Sequence, residues 1–257
     1  MKLHFLSTGP RFPYAYYLGI TTALKVYKDV KLWITEKPDS EYFDSLTDRV
    51  EIEEIKDIPD FPALANVDDH LKRVCIFDHY IWKIVAEHGG AIMGLDSITI
   101  KKWDDLLGDK EILVPIDDEN WKEGDKGSYS MHGATVINGS KIARDIYEDS
   151  KLAMDGKEID GHFKAFKDGK IRWGGAGIIP YLNNIDKNLD KVAIADYGLL
   201  GGYKHDGSEF YLYQNGELLN PDARTIPMYA SSQKGFKGIT EDYVKNGNTL
   251  LSRLVNN

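Results

Sequence analysis

The stretch "EHGGAIMGLDSIT", Glu87–Thr99, decides how the first half of the chain folds. Two glycines end a helical pattern, an apolar run follows, and the run finishes on a lone acid, Asp96, two residues after Gly94. Upstream, "NVDDHLKRVCIFDHYIWKIVAEHGG" carries one apolar stripe through Leu71, Val74, Cys75, Ile81, Trp82 and Val85, the spacing of a helix. Asn66 and Asp69 are placed like an N-cap and an acidic third position, and Gly89-Gly90 supplies the stop. Downstream, "AIMGLDSITI" is short and apolar and reads as one buried strand. If Gly-Gly reverses the chain, that strand returns alongside the helix. Asp78 falls within the apolar stripe, about ten residues or ~15 Å of helix before the glycines. Asp96 follows them by about six residues, or ~20 Å of strand. The two acids are therefore expected to converge at one sheet edge, where open α/β sheets bind their ligands. On the plainer reading, Asp78 pairs with a lysine or caps a loop, and Asp96 is a turn residue.

Around this stretch the pattern alternates. "KLHFLST" reads as a strand, "YAYYLGITTALKVY" as a helix, and "VKLWIT" and "RVEIEEI" as further strands. A strand–helix–strand opening predicts an α/β domain with a partly parallel sheet. "KKWDDLLGD" reads as a short helix and "EILVPID" as a strand. In the second half "SKIARDIYEDSKLAM" reads as a helix, "RWGGAGIIPYLNNI" as a glycine-rich turn entering a helix, and "EDYVKNGNTLLSRLV" as a closing helix. "SEFYLYQNGELLNP" reads as a hairpin about Asn215-Gly216. No Pro/Gly/Ser-rich linker interrupts residues 1–257, so a single domain is expected, with a ligand-binding half over 1–110 and a second half over 111–257.

The composition narrows the function. The 257 residues are 42% apolar, with five Trp, nine Phe and fifteen Tyr, enough for a sizeable core. A formal charge of −9 disfavours nucleic acid and anionic membrane as partners. The single cysteine, Cys75, sits among apolar residues, reads as core, and allows no intramolecular disulfide, which fits a cytoplasmic location. No apolar run approaches the ~20 residues of a transmembrane helix, and the N-terminal segment lacks the apolar region of a signal peptide.

The register of "FDHYIWKIVAEHGGAIMGLD" resembles glycosyltransferases with the DXD sugar-binding region, such as yeast outer-chain mannosyltransferases, bacterial capsular-polysaccharide transferases and viral glycosyltransferases. That family carries Asp-x-x-Arg, a hydrophobic position, Gly-Gly, and an apolar strand ending in Asp-x-Asp. Here Asp78, Val85, Gly89, Gly90 and Asp96 match, whereas Ile81 stands at the arginine and Gly94 at the first strand-end aspartate. "KLHFLSTG", "VKLWIT" and "GGAGIIPYL" are similar to other family segments. The likeness extends well over about the first 110 residues and loosely beyond. It implies a GT-A-like fold, a mixed, mostly parallel sheet flanked by helices, with a nucleotide-sugar site at the strand C-terminal ends.

By the same resemblance, Asp96 is the metal ligand, for Mn²⁺ or Mg²⁺, and Asp78, Gly89, Gly90 and Gly94 belong to the donor site. A divalent cation across two phosphates neutralises the charge that develops on a nucleotide-diphosphate leaving group. Such cations prefer hard oxygen ligands. Family members complete the site from a C-terminal loop, which makes Ser231, Ser232 and Lys234 of "MYASSQKGFKG" candidates. Ser7 and Thr8, ending the first strand, would face the nucleotide if the sheet is parallel there. Trp173, beside Gly175, is a candidate platform for an acceptor sugar, and His132 a candidate acceptor contact. Tyr14, Tyr16 and Tyr17 read chiefly as packing residues, His205 and Asp206 as a turn, and Asp117, Asp118 and Glu119 as solvated acids or a general base.

Together these readings predict a metal-dependent hexosyltransferase taking its sugar from UDP, or secondarily GDP, to a glycan or glycoprotein acceptor. The alternatives are a non-catalytic relative that binds a glycan or nucleotide, and an unrelated α/β nucleotidyltransferase. No phosphate-binding glycine loop or dinucleotide fingerprint is present.

Overall fold

The strands that open the chain are buried end to end, and that dictates the layering. A computed structural model describes residues 1–116, 129–196, 198–200, 218, 220–228 and 239–256. β1 (Leu3–Ser7) is followed by α1 (Tyr14–Val26), β2 (Val30–Ile34), the short α2 (Glu41–Asp44) and β3 (Glu51–Glu54). All residues of β1 and β2 are buried, as befits parallel strands covered on both faces. The long α3 (Asp69–His88) leads into β4 (Gly90–Ile92), then β5 (Ser97–Thr99), β6 (Ile112–Pro115) and β7 (Thr135–Val136). α4 (Lys141–Met154), the β8–β9 pair (Phe166–Lys167, Lys170–Ile171), α5 (Ile178–Lys187) and β10 (Val192–Ala195) follow. β11 (Thr225–Pro227), α6 (Glu241–Asn246) and α7 (Leu250–Asn256) close the described chain.

Seven strands form one mixed, mostly parallel sheet in the order β10-β6-β7-β4-β1-β2-β3. β4, β1, β2 and β3 are mutually parallel, β10 is parallel to β6, and β7 runs antiparallel between β4 and β6. Strands from both halves of the chain thus share the sheet. Successive residues of each strand point to opposite faces and fill two separate cores. Leu6, Trp33, Ile92, Ile112 and Val114 pack with α3, α4 and α5, whereas Phe5, Leu32, Ala91, Met93 and Leu113 pack with α1 and α2.

Four local expectations change. The N-cap of α3 is Asp68, whose carboxylate accepts from the Leu71 amide at 2.9 Å, because its side chain rather than that of Asn66 reaches the open turn. "AIMGLDSITI" is two strands: Ser97 N donates to Gly94 O at 3.1 Å, and this turn carries β5 out of the main sheet to pair with β11. "KKWDDLLGD" forms only a 3-10 turn over Asp104–Leu106. The closing helix is two helices, broken at Gly247, where a side chain would meet the Ser252 Oγ at 2.7 Å. The Asn215-Gly216 hairpin lies outside the described residues.

Candidate functional site

β2 and β3 lie to one side of β1 and β4 to the other, so consecutive connections diverge between β1 and β4. The crevice outside the C-terminal ends of strands at such a point is where open α/β sheets bind ligands. A cavity of about 220 Å³ opens at that edge, lined by residues that follow β1 (Thr8, Gly9), β2 (Thr35, Glu36) and β3 (Ile58). Its other wall is the first half of α3, including Lys72 and Arg73. Both cations are exposed, and neither has an ion-pair partner among the described residues. They were not among the candidates read from sequence. Their one signal there is a pair of basic residues in the first turns of an otherwise acidic helix start.

Asp96 follows β4 at the same edge. It is half-buried, and its main-chain oxygen accepts from Met228 N at 2.6 Å. The Tyr16 phenol is pushed up by its burial and, secondarily, by the negative charge of Asp96. The Asp96 carboxylate has neither hydrogen bond nor ion pair among the described residues. Close packing holds this turn. A Cβ on Gly19 of α1 would overlap the Leu95 carbonyl and lie 3.0 Å from Ser97 O. Thr22 Oγ1 accepts from Thr99 N at 3.2 Å while donating to Leu18 O at 2.9 Å.

Ser7 is 2% exposed, and its carbonyl accepts from Thr35 N at 3.1 Å, so Thr8 rather than Ser7 reaches the cavity. Asp78 is not at the open rim. It is 4% exposed, held between α3 and the first turn of α5, where a Cβ on Gly177 would lie 2.9 Å from its Oδ2. That oxygen has no hydrogen-bond partner, and burial pushes the carboxyl up to about 7. Asp78 packs against Gly177 at the start of α5, whereas Asp96 lies in the field of Tyr16 of α1. Beside Asp78, Ser150 Oγ donates to Ala176 O at 2.5 Å and accepts a hydrogen bond from His79 Nδ1 at 2.9 Å. Burial holds His79 down at about 4, so its ring is neutral and carries its proton on Nδ1. This pair ties the turn before α5 to α3 and α4.

Gly89 and Gly90, assigned to the donor site by the resemblance, lie at the opposite edge of the sheet, at the start of β4. They have φ of 67° and 93°, and a side chain on Gly90 would meet Lys2 O at 2.5 Å. Glycine is required there to turn α3 into β4. His4 braces that turn: Nε2 donates to Gly89 O at 3.0 Å, and Nδ1 accepts from Trp33 Nε1 at 3.1 Å. Gly94 lies beneath the His132 imidazole, where a Cβ would overlap Cε1. Gly175 is buried under Ala165 O and Ile171, and Trp173, on the adjoining turn, is 62% exposed. Ser231, Ser232 and Lys234 lie outside the described residues, as do Asp117, Asp118, Glu119, His205 and Asp206.

A divalent cation fits these residues in one respect, the half-buried carboxylate of Asp96, which has no partner among the described residues. Among the described residues no three His, Cys, Asp or Glu side chains gather to hold a metal. No described helix is long and apolar enough to cross a membrane.

No protein-family model matches the chain, and no curated protein does. Among solved structures it is similar to the PaToxG glycosyltransferase, at 13% identity and a TM-score of 0.43, over 74% of this chain and 69% of that one. It is also similar to the glycosyltransferase GlyE of Streptococcus pneumoniae TIGR4, at 12% identity and a TM-score of 0.45, over 99% of this chain. The match spans 62% of the GlyE chain. Both likenesses are too remote to assign a function.

Proposed function

We propose that this chain is a glycosyltransferase that takes a hexose from a nucleotide sugar, UDP-linked before GDP-linked, to a glycan or glycoprotein acceptor. The observation that carries the reading is the C-terminal edge of β1, β2 and β4. A cavity flanked by Lys72 and Arg73 opens there, and Asp96 follows β4 at the same edge; none of the three has an ion-pair partner among the described residues. The sequence resemblance at Asp96, the acid that follows the buried β4 strand, supports the same assignment. The nucleoside takes the cavity, and the cations balance phosphate charge in a chain that is otherwise acidic. Asp96 and the donor phosphates would hold Mn²⁺ or Mg²⁺, which when bound supplies neutralisation of the leaving diphosphate. Thr8 and Thr35, which line the cavity, would offer hydroxyls toward the base or ribose.

Calorimetric titration with UDP and GDP, with and without Mn²⁺, tests this reading. Binding of one nucleotide, strengthened by metal and weakened at least tenfold in Arg73→Ala, is expected. Absence of any metal-strengthened binding rejects it.

A non-catalytic nucleotide-sugar-binding protein is the second reading. It is favoured by Ile81, which stands at the family's arginine and is fully buried in the core. Slow donor hydrolysis that disappears in Asp96→Ala would exclude it.

A further inference from the structure

The end of β4 carries no side chain at position 94, and the structure shows what fills the space. A Cβ built on Gly94 would overlap Cε1 of His132 and lie 2.8 Å from both ring nitrogens. Position 94 and His132 therefore cannot both present a side chain; the imidazole occupies the volume that a residue at 94 would take. Its loop is pinned to β4 from both sides. Gly133 N donates to Ile92 O and Ile92 N to Ala134 O, each at 2.9 Å. His132 N donates to Ser130 Oγ at 3.1 Å, and the Tyr181 hydroxyl donates to Ser130 O at 2.8 Å. The ring itself is half-buried, and neither nitrogen has a hydrogen-bond partner among the described residues. A rigidly positioned, half-buried polar side chain with no partner among the described residues is preorganised for a ligand.

The strand order says which part of the ligand. The cavity lies over the ends of β1 and β2, Asp96 follows β4, and His132 enters β7 on the far side of β4. Two to three strand spacings, roughly 10–14 Å, separate the cavity from the imidazole. A nucleoside in the cavity with its diphosphate near Asp96 would thus bring its sugar ring to His132. An imidazole can donate to or accept from a sugar hydroxyl.

Resting on the glycosyltransferase reading, we infer that His132 is a specificity-determining residue. Its ring, seated in the space that a side chain at position 94 would take, would hydrogen-bond the donor hexose of a nucleoside diphosphate sugar.

The decisive variant is His132→Phe, which keeps a ring in the slot and removes both nitrogens. Binding of UDP and GDP, and of UDP-glucose, UDP-galactose, UDP-N-acetylglucosamine and GDP-mannose, is measured by calorimetry with Mn²⁺ present. Loss of a ligand hydrogen bond predicts about tenfold weaker nucleotide-sugar binding, with the free nucleotide within about twofold of wild type. Gly94→Ala, which drives the imidazole out, is expected to give the same selective loss. It also decides the matter if His132→Phe does not fold, as judged by its melting transition. Unchanged nucleotide-sugar binding, or equal weakening of sugar-linked and free nucleotide, overturns the inference and leaves the glycosyltransferase reading standing. A wild-type chain that binds none of the six ligands overturns both.

Discussion

Asp78 places a carboxyl in a site 4% exposed, against Gly177, with Oδ2 unpartnered. Burial raises its native pKa to about 7, above the ordinary carboxylate range, so the native state holds a proton that the unfolded chain has released. Stability from this group is therefore unaffected below pH ~4, falls as pH rises toward 7, and stays reduced above it. Asp78→Asn removes the titration. Urea unfolding is expected to show the variant no more stable than wild type at pH 4 and more stable by a few kcal/mol at pH 8. A stability difference independent of pH would refute the assignment. The periodicity of α3 showed that an acid fell within an apolar stripe. That its neighbour is Gly177, 99 residues away in the chain, was not visible there.

The contact between α1 and the β4–β5 turn positions Asp96. Gly19 lets the helix approach the Leu95 and Ser97 carbonyls closely, and Thr22 satisfies the Thr99 amide. In Gly19→Ala the methyl group meets main-chain atoms of Leu95 and Ser97, which cannot yield as a flexible side chain would. A loss of about 2–3 kcal/mol in denaturant unfolding is expected. Because the turn must move, nucleotide binding that depends on metal should weaken with it. Unchanged stability would show that α1 shifts freely. The helix, both flanking strands and the Gly-Gly reversal were legible from local pattern. The separation of β4 from β5 was not, because both are short and apolar and the β11 partner that draws β5 away lies more than a hundred residues downstream.

Across the molecule, three buried groups that titrate between pH 4 and 7 oppose one another. Burial lowers His4 and His79 to about 4 each, so both are neutral when folded and charge on unfolding below pH 6.5. Their contribution is present above that pH and is lost as pH falls toward 4. Asp78 acts in the other direction over nearly the same window. Two protons taken up by the histidines less one released by Asp78 leaves a net uptake of one on unfolding. Stability is thus expected to fall by about 1.4 kcal/mol per pH unit on acidification from 6.5 to 4. The slope should double in Asp78→Asn, and a flat profile would contradict the pairing of these three groups. At the β3 edge, Lys31 bonds Glu51 at 2.7 Å and Glu53 at 2.6 Å and lies 4.2 Å from the Trp33 ring centre. A charged edge of this kind discourages pairing with another chain.

Residue order alone determined the alternation of strands and helices, the apolar faces, the reversal at Gly89-Gly90 and the presence of an acid after β4. Each follows from steric and hydrophobic rules that act over a few residues. Tertiary structure decided the rest. It placed Gly89 and Gly90 at the edge away from the cleft, buried Asp78, gathered Thr8, Thr35, Ile58, Lys72 and Arg73 around one cavity, and laid His132 over Gly94. Those pairings join residues far apart in sequence. They are selected by how the two cores and the sheet order close together, which no local periodicity records.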